Sequence, residues 1–161
     1  MMTKRKEQAM CRVNKYELIC EKVESYNSDV IDKTMNSADN IAQFIMRTLK
    51  SDSYPVEHFM VFMMDTKLKV VGFSDISKGS LDTALVHPRE VFQPAMMTAK
   101  TAAVIVAHTH PSGDPTPSQE DIMVTDRLAD AGKLMGIPLI DHIVVGDGKY
   151  VSLANEGYIS K

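Results

Sequence analysis

The sequence predicts a mixed α/β domain, a central mixed β-sheet flanked by helices, and three observations lead there. Short unbroken apolar runs, Phe59–Met64 and Ala102–Ala107, have the length and composition of strands buried on both faces. Around them, apolar residues recur at helical spacing, as Ala38, Ile41, Ala42, Ile45 and Leu49, and again as Val124, Leu128, Ala131 and Met135. Gly79 and the Gly146-Asp147-Gly148 turn punctuate the pattern. A chain of 161 residues suits one domain with a sizeable core. It is expected over residues 15–161, behind a basic tail at 1–14 that carries Lys4, Arg5, Lys6 and Arg12.

In order along the chain, Tyr16–Val23 alternates enough for a first strand, and residues 27–36 read as polar loop. Ser37 is a plausible N-cap for the helix running to Leu49. The strand Phe59–Met64 ends at Asp65-Thr66-Lys67, and Lys69–Ile76 follows as its hairpin partner. Leu81–Val86 is another short strand. Pro88 suits the first position of a helix, within which Pro94 should kink or restart the backbone. After the strand Ala102–Ala107, the Pro- and Gly-dense segment 111–117 forbids helix or ladder, and Ser118 opens a helix. Leu139–Val145 and Tyr150–Leu153 form a terminal hairpin, and the residues after Asn155 are expected to be loosely held.

Composition narrows the function classes. A net charge of -3 leaves no electrostatic footprint for nonspecific duplex binding, so a nucleic-acid partner is not supported by charge. The two cysteines, Cys11 and Cys20, lack CxxC spacing and read as reduced cytoplasmic thiols. No apolar stretch has the form of a signal peptide or approaches the roughly 20 residues of a membrane helix. The twelve methionines fall largely within apolar segments and read as core filling.

The chemistry concentrates in His108-Thr109-His110-Pro111, followed by Ser118 and Asp121. Histidines two apart at the end of an extended segment project to the same side, so their nitrogens can converge. They would sit at the carboxyl edge of the strand, where open α/β sheets place ligands. Ser118-Gln119-Glu120-Asp121 reads equally as a capping box. The two roles are compatible, because Asp121 shares the buried stripe of Val124, Leu128, Ala131 and Met135, where an unpaired carboxylate is costly and a cation removes the cost. Three protein ligands with one position open is the pattern of catalytic zinc.

The run His-x-His-Pro, six residues, Ser, two residues, Asp resembles the JAMM signature of the MPN (JAB) metalloproteases. The flanking His87-Pro88-Arg89-Glu90-Val91-Phe92, Ser112-Gly113-Asp114-Pro115, Leu139-Ile140-Asp141-His142 and Val145-Gly146-Asp147-Gly148 resemble its RadC-like branch, over about Glu57 to Gly157. Thr109 stands where that branch usually has Asn, and its side chain is expected to point away from the metal. The resemblance implies a cytidine-deaminase-like MPN/JAB domain with one Zn2+ held by His108, His110 and Asp121. It also implies Glu57 as general acid and base, Ser118 as a hydrogen-bond donor to the reacting centre, and a protein or peptide substrate. His87 and His142 are each open as a further ligand, though a cap for His87 and a hydrogen-bonded core position for His142 are simpler. Longer relatives carry an N-terminal helix-hairpin-helix domain, and the residues before Glu57 suffice only for a tail, a strand and a helix.

Three functions stay open at this point: a metallopeptidase or isopeptidase, a metal-dependent enzyme of the DNA-repair label acting on or near nucleic acid, and a non-catalytic MPN binding module. Self-pairing as a homodimer is also open.

Overall fold

The computed structural model describes residues 21–26, 37–79 and 86–159. The basic tail, both cysteines, the expected loop at 27–36 and all but Val86 of the expected strand Leu81–Val86 lie outside them. Of the expected strand Tyr16–Val23, only 21–23 are described, and these are irregular and exposed.

The sheet has five strands, β1 (His58–Met64), β2 (Val70–Lys78), β3 (Ala103–Thr109), β4 (Leu139–Val145) and β5 (Tyr150–Ser152). Their order is β2-β1-β3-β4-β5, and only the β3–β4 pair is parallel. That pair needs a crossover, which α3 (Gln119–Met135) provides. The helices α1 (Ala38–Gln43) and α2 (Pro88–Met97) precede β1 and β3 respectively. The fold is the mixed α/β arrangement that the sequence predicts.

Alternation along the two central strands divides the core into two layers. Met60, Phe62 and Met64 of β1, with Ala103, Ile105 and Ala107 of β3, face Ile41, Ala42, Phe44 and Ile45 around α1. Phe59, Val61 and Met63, with Val104 and Val106, face Val91, Phe92, Val124 and Leu128 of α2 and α3. By the same alternation His108 projects with Val104 and Val106 toward α3, and Thr109 projects to the α1 side. There its hydroxyl oxygen accepts from the His58 amide at 3.1 Å, away from the histidine pair as expected.

Several boundaries differ from expectation. Helix α1 gives way at Phe44–Thr48 to a π turn closed by the Leu49 amide on the Phe44 carbonyl. Pro94 neither ends nor restarts α2, which continues through it to Met97. Strand β3 extends through Thr109, so His108 is part of the ladder. Residues 156–159 are also held: the Tyr158 amide donates to the Leu153 carbonyl, and Ile159 packs into the core beside α2 and α3. An apolar side chain near the end of the described chain outweighs its terminal position.

Candidate metal centre

Two elements bring the motif together. β3 delivers His108, which is fully buried, and releases His110 one residue past its end. α3 delivers Asp121 from its first turn, where the capping box forms as expected. The Ser118 hydroxyl accepts from the Asp121 amide at 3.1 Å, and Asp121 Oδ2 accepts from the Ser118 amide at 2.7 Å. The helix ends at Gly136, whose φ of 70° favours glycine.

One ligand atom from each of His108, His110 and Asp121 lies within 4.8 Å of the others. The separations are 2.9 Å between the two Nε2 atoms, 3.2 Å from His108 Nε2 to Asp121 Oδ1, and 3.6 Å from His110 Nε2 to Asp121 Oδ2. They bracket the edge of about 3.3 Å that four ligands on bonds of about 2.0 Å require. His110 Nδ1 sits 2.7 Å from the Asp114 carbonyl oxygen, which only accepts, so the ring proton is there and Nε2 turns a lone pair toward Asp121. Asp121 faces these two imidazoles at 3.2 and 3.6 Å, so a cation would satisfy both the buried carboxylate and the lone pairs facing it. The residues therefore fit a metal ion.

Charge state follows from the same contacts. For Asp121, burial favours the neutral acid, but contact with His108 and His110 and the Ser118 hydroxyl bond outweigh it and hold the carboxyl far below the ordinary range. His110 is raised above the ordinary histidine value, first by contact with Asp121 against an opposing effect of burial, then by the Asp114 carbonyl and the charges of Asp121 and Glu57. A raised pKa keeps the proton on His110 to a higher pH than on a free imidazole, and a protonated ring cannot ligate. Divalent-metal affinity is thus expected to fall with decreasing pH from a point above about 6.5. Calorimetric metal titrations across that range check the sign; affinity independent of pH would contradict it.

Glu57 arrives by strand pairing. Phe59 of β1 pairs with His108 of β3 as the last pair of their antiparallel ladder, so Glu57 and His110 each lie two residues past it at the same end of the two strands. Phe59 lies on the face of His108, their rings stacked at 6.1 Å, and Glu57 shares its alternation. Glu57 is half-buried, and its charge is felt by His110. The Ser118 hydroxyl donates to Asp121 Oδ2 at 2.7 Å. His87 is the N-cap residue of α2, with no side-chain cap bond. His142 lies behind the cluster, its Nε2 2.8 Å from His108 Nδ1. Nothing in the sequence singles out Thr125, whose hydroxyl meets the other nitrogen of His142 at 2.6 Å.

On the α1 side of His110 a cavity of about 310 Å³ opens, walled by the hydroxyl residues Ser51, Tyr54, Thr109 and Ser112, and by Asp147. The Ser51 hydroxyl is buried there without a hydrogen-bond partner among the described residues. The metal loop closes against the terminal hairpin, with the Asp147 amide donating to the Gly113 carbonyl at 2.9 Å. A Cβ on Gly146 would lie 2.3 Å from that same carbonyl oxygen. Gly146→Ala is therefore expected to destabilise the fold by about 1–3 kcal/mol, because backbone must move to admit the methyl. Chemical denaturation measures it, and an unchanged midpoint would refute the close approach.

An open mixed sheet with a two-histidine, one-aspartate cluster that could hold a metal ion, at the junction of its central strand and the following helix, is the arrangement of a JAB-type domain. The family model of the RadC-like JAB domain matches residues 35–158. The chain belongs to that family. It is 52% identical over 103 residues to a UPF0758 protein of Methanosarcina mazei, covering 64% of this chain and 44% of the relative. A UPF0758 protein of Desulfitobacterium hafniense is 45% identical over 136 residues, covering 84% of this chain and 59% of the relative. The chain spans about half the length of the curated relatives it matches. Among the described residues, no helix is long and apolar enough to cross a membrane.

Proposed function

We propose that this protein is a zinc-dependent metallohydrolase that cleaves an amide bond in a polypeptide, peptide or isopeptide, with one Zn2+ held by His108, His110 and Asp121. The observation that carries this is the three-membered ligand set of two imidazoles and a buried carboxylate, since structural zinc is closed by four protein ligands and catalytic zinc keeps a position open. When bound, the ion supplies Lewis acidity and a water whose pKa is lowered to about 7. Glu57 takes the proton of the attacking water and hands it to the departing amine; its position at the same end of the two strands as His110 supports that role. Ser118 donates to the oxyanion forming on the attacked carbonyl. To do so its hydroxyl turns away from Asp121 Oδ2, which keeps the bond from the Ser118 amide.

A polypeptide is favoured over nucleic acid by the net charge of -3, whereas phosphate backbones are held by an excess of cationic side chains. The test is to incubate zinc-loaded protein with peptide mixtures joined through α- and ε-amino groups and to identify new termini by mass spectrometry. New amine termini that appear with the wild type and not with Glu57→Gln are expected. No cleavage by protein with zinc demonstrably bound would defeat the assignment.

A further inference from the structure

Outside the ligand cluster, the His108 ring has one polar contact among the described residues, its Nδ1 at 2.8 Å from His142 Nε2. His142 is fully buried and turns its own Nδ1 to the Thr125 hydroxyl at 2.6 Å. That hydroxyl lies 2.6 Å from the Asp121 carbonyl one helical turn back. A carbonyl oxygen only accepts, so the single hydroxyl proton of Thr125 goes to Asp121. Thr125 therefore meets His142 with a lone pair, and His142 Nδ1 carries a proton. A buried ring whose nitrogens face a hydroxyl and an imidazole, with no carboxylate against either, stays neutral. Its Nε2 is then bare and accepts from His108 Nδ1–H, which leaves the His108 lone pair on Nε2, the atom 2.9 Å from His110 and 3.2 Å from Asp121.

We propose that His142 and Thr125 are positioning residues that hold His108 in its Nδ1–H tautomer and so keep Nε2 free for a metal ion. The proposal rests on the metal-site reading of the cluster, but the tautomer itself can be observed without metal. The chain of bonds starts on the main chain of one ligand residue, Asp121, and ends on the ring of another, His108. Helix α3 thus supplies the carboxylate and, one turn later, the hydroxyl that sets the strand histidine through β4. A ligand role for His142 is incompatible with this, because its bare nitrogen is occupied by His108. Without the Thr125 acceptor, His142 can take the Nε2–H form and donate to His108 Nδ1. His108 then carries its proton on Nε2, where a cation has to displace it.

The experiment compares Thr125→Val and Thr125→Ser with the wild type. In metal-free protein, ¹⁵N–¹H correlation spectra of the imidazoles are expected to show His108 protonated on Nδ1 in the wild type and Thr125→Ser, and on Nε2 in a substantial share of Thr125→Val. Zinc affinity, measured by competition with a chromophoric chelator, should fall about 10- to 100-fold in Thr125→Val and stay within about threefold of wild type in Thr125→Ser. A change in packing alone would move the melting temperature of the metal-free protein without moving the tautomer. A folded Thr125→Val that keeps wild-type affinity and wild-type His108 shifts overturns the proposal. So does a wild-type spectrum with the His108 proton on Nε2, which decides the matter even if the valine variant fails to fold. If the wild type binds no zinc, the hydrolase assignment falls, and the metal-free spectrum alone upholds or overturns the tautomer.

Discussion

Asp121→Ala is expected to lower zinc affinity by more than the roughly 100-fold that losing a supporting residue around a metal can cost, and to abolish amide hydrolysis with it. In the proposed site the carboxylate is one of three ligands and carries the only full negative charge among them. The same side chain closes the capping box of α3 through Oδ2, so the alanine variant should also lose about 1 kcal/mol of stability. Asp121→Asn separates the two effects. Its amide oxygen can still accept from the Ser118 amide, so stability should be largely kept while the affinity loss remains. Equilibrium metal titration and denaturant unfolding of both variants are the measurements. An alanine variant that retains wild-type zinc affinity would remove Asp121 from the site.

Glu57→Gln is expected to lower the hydrolytic rate about 10²- to 10⁴-fold, the usual contribution of a positioned general base, and to leave zinc affinity nearly unchanged. The two expectations together distinguish a proton carrier from a ligand. Glutamine matches glutamate in size and hydrogen-bonding reach but cannot accept a proton at neutral pH. Because the Glu57 charge contributes to the raised pKa of His110, the variant should also shift the pH dependence of metal binding slightly toward lower pH. Single-turnover rates on a cleaved peptide, with metal content quantified in the same samples, test it. Equal rates with equal zinc would clear Glu57 of the chemistry.

What was legible in the sequence and what was not divide along one physical line. Phe59–Met64 and Ala102–Ala107 could be read as strands because central strands buried on both faces are apolar throughout, a property written in consecutive residues. The candidate cluster was legible for a related reason. His108, His110 and Asp121 lie within one strand, loop and helix start, and local geometry converges them. Glu57 depends on which residue of β1 pairs with which of β3. No periodicity encodes that pairing, and only the family resemblance pointed to the residue. Thr125 was invisible because a threonine in a helix usually bonds back to its own turn, as this one does; its second partner, His142, comes from a strand beyond the helix.

The seam between the metal loop and the terminal hairpin restricts how this architecture can vary. With Gly113 and Gly146 in backbone contact and the His110 amide bonded to the Val145 carbonyl, the two turns are fitted to each other at fixed length. An insertion in either turn alone would have to lift the other from its seat and carry His110 with it. Extensions that alter substrate choice are therefore compatible with the site only when they enter through segments clear of this junction.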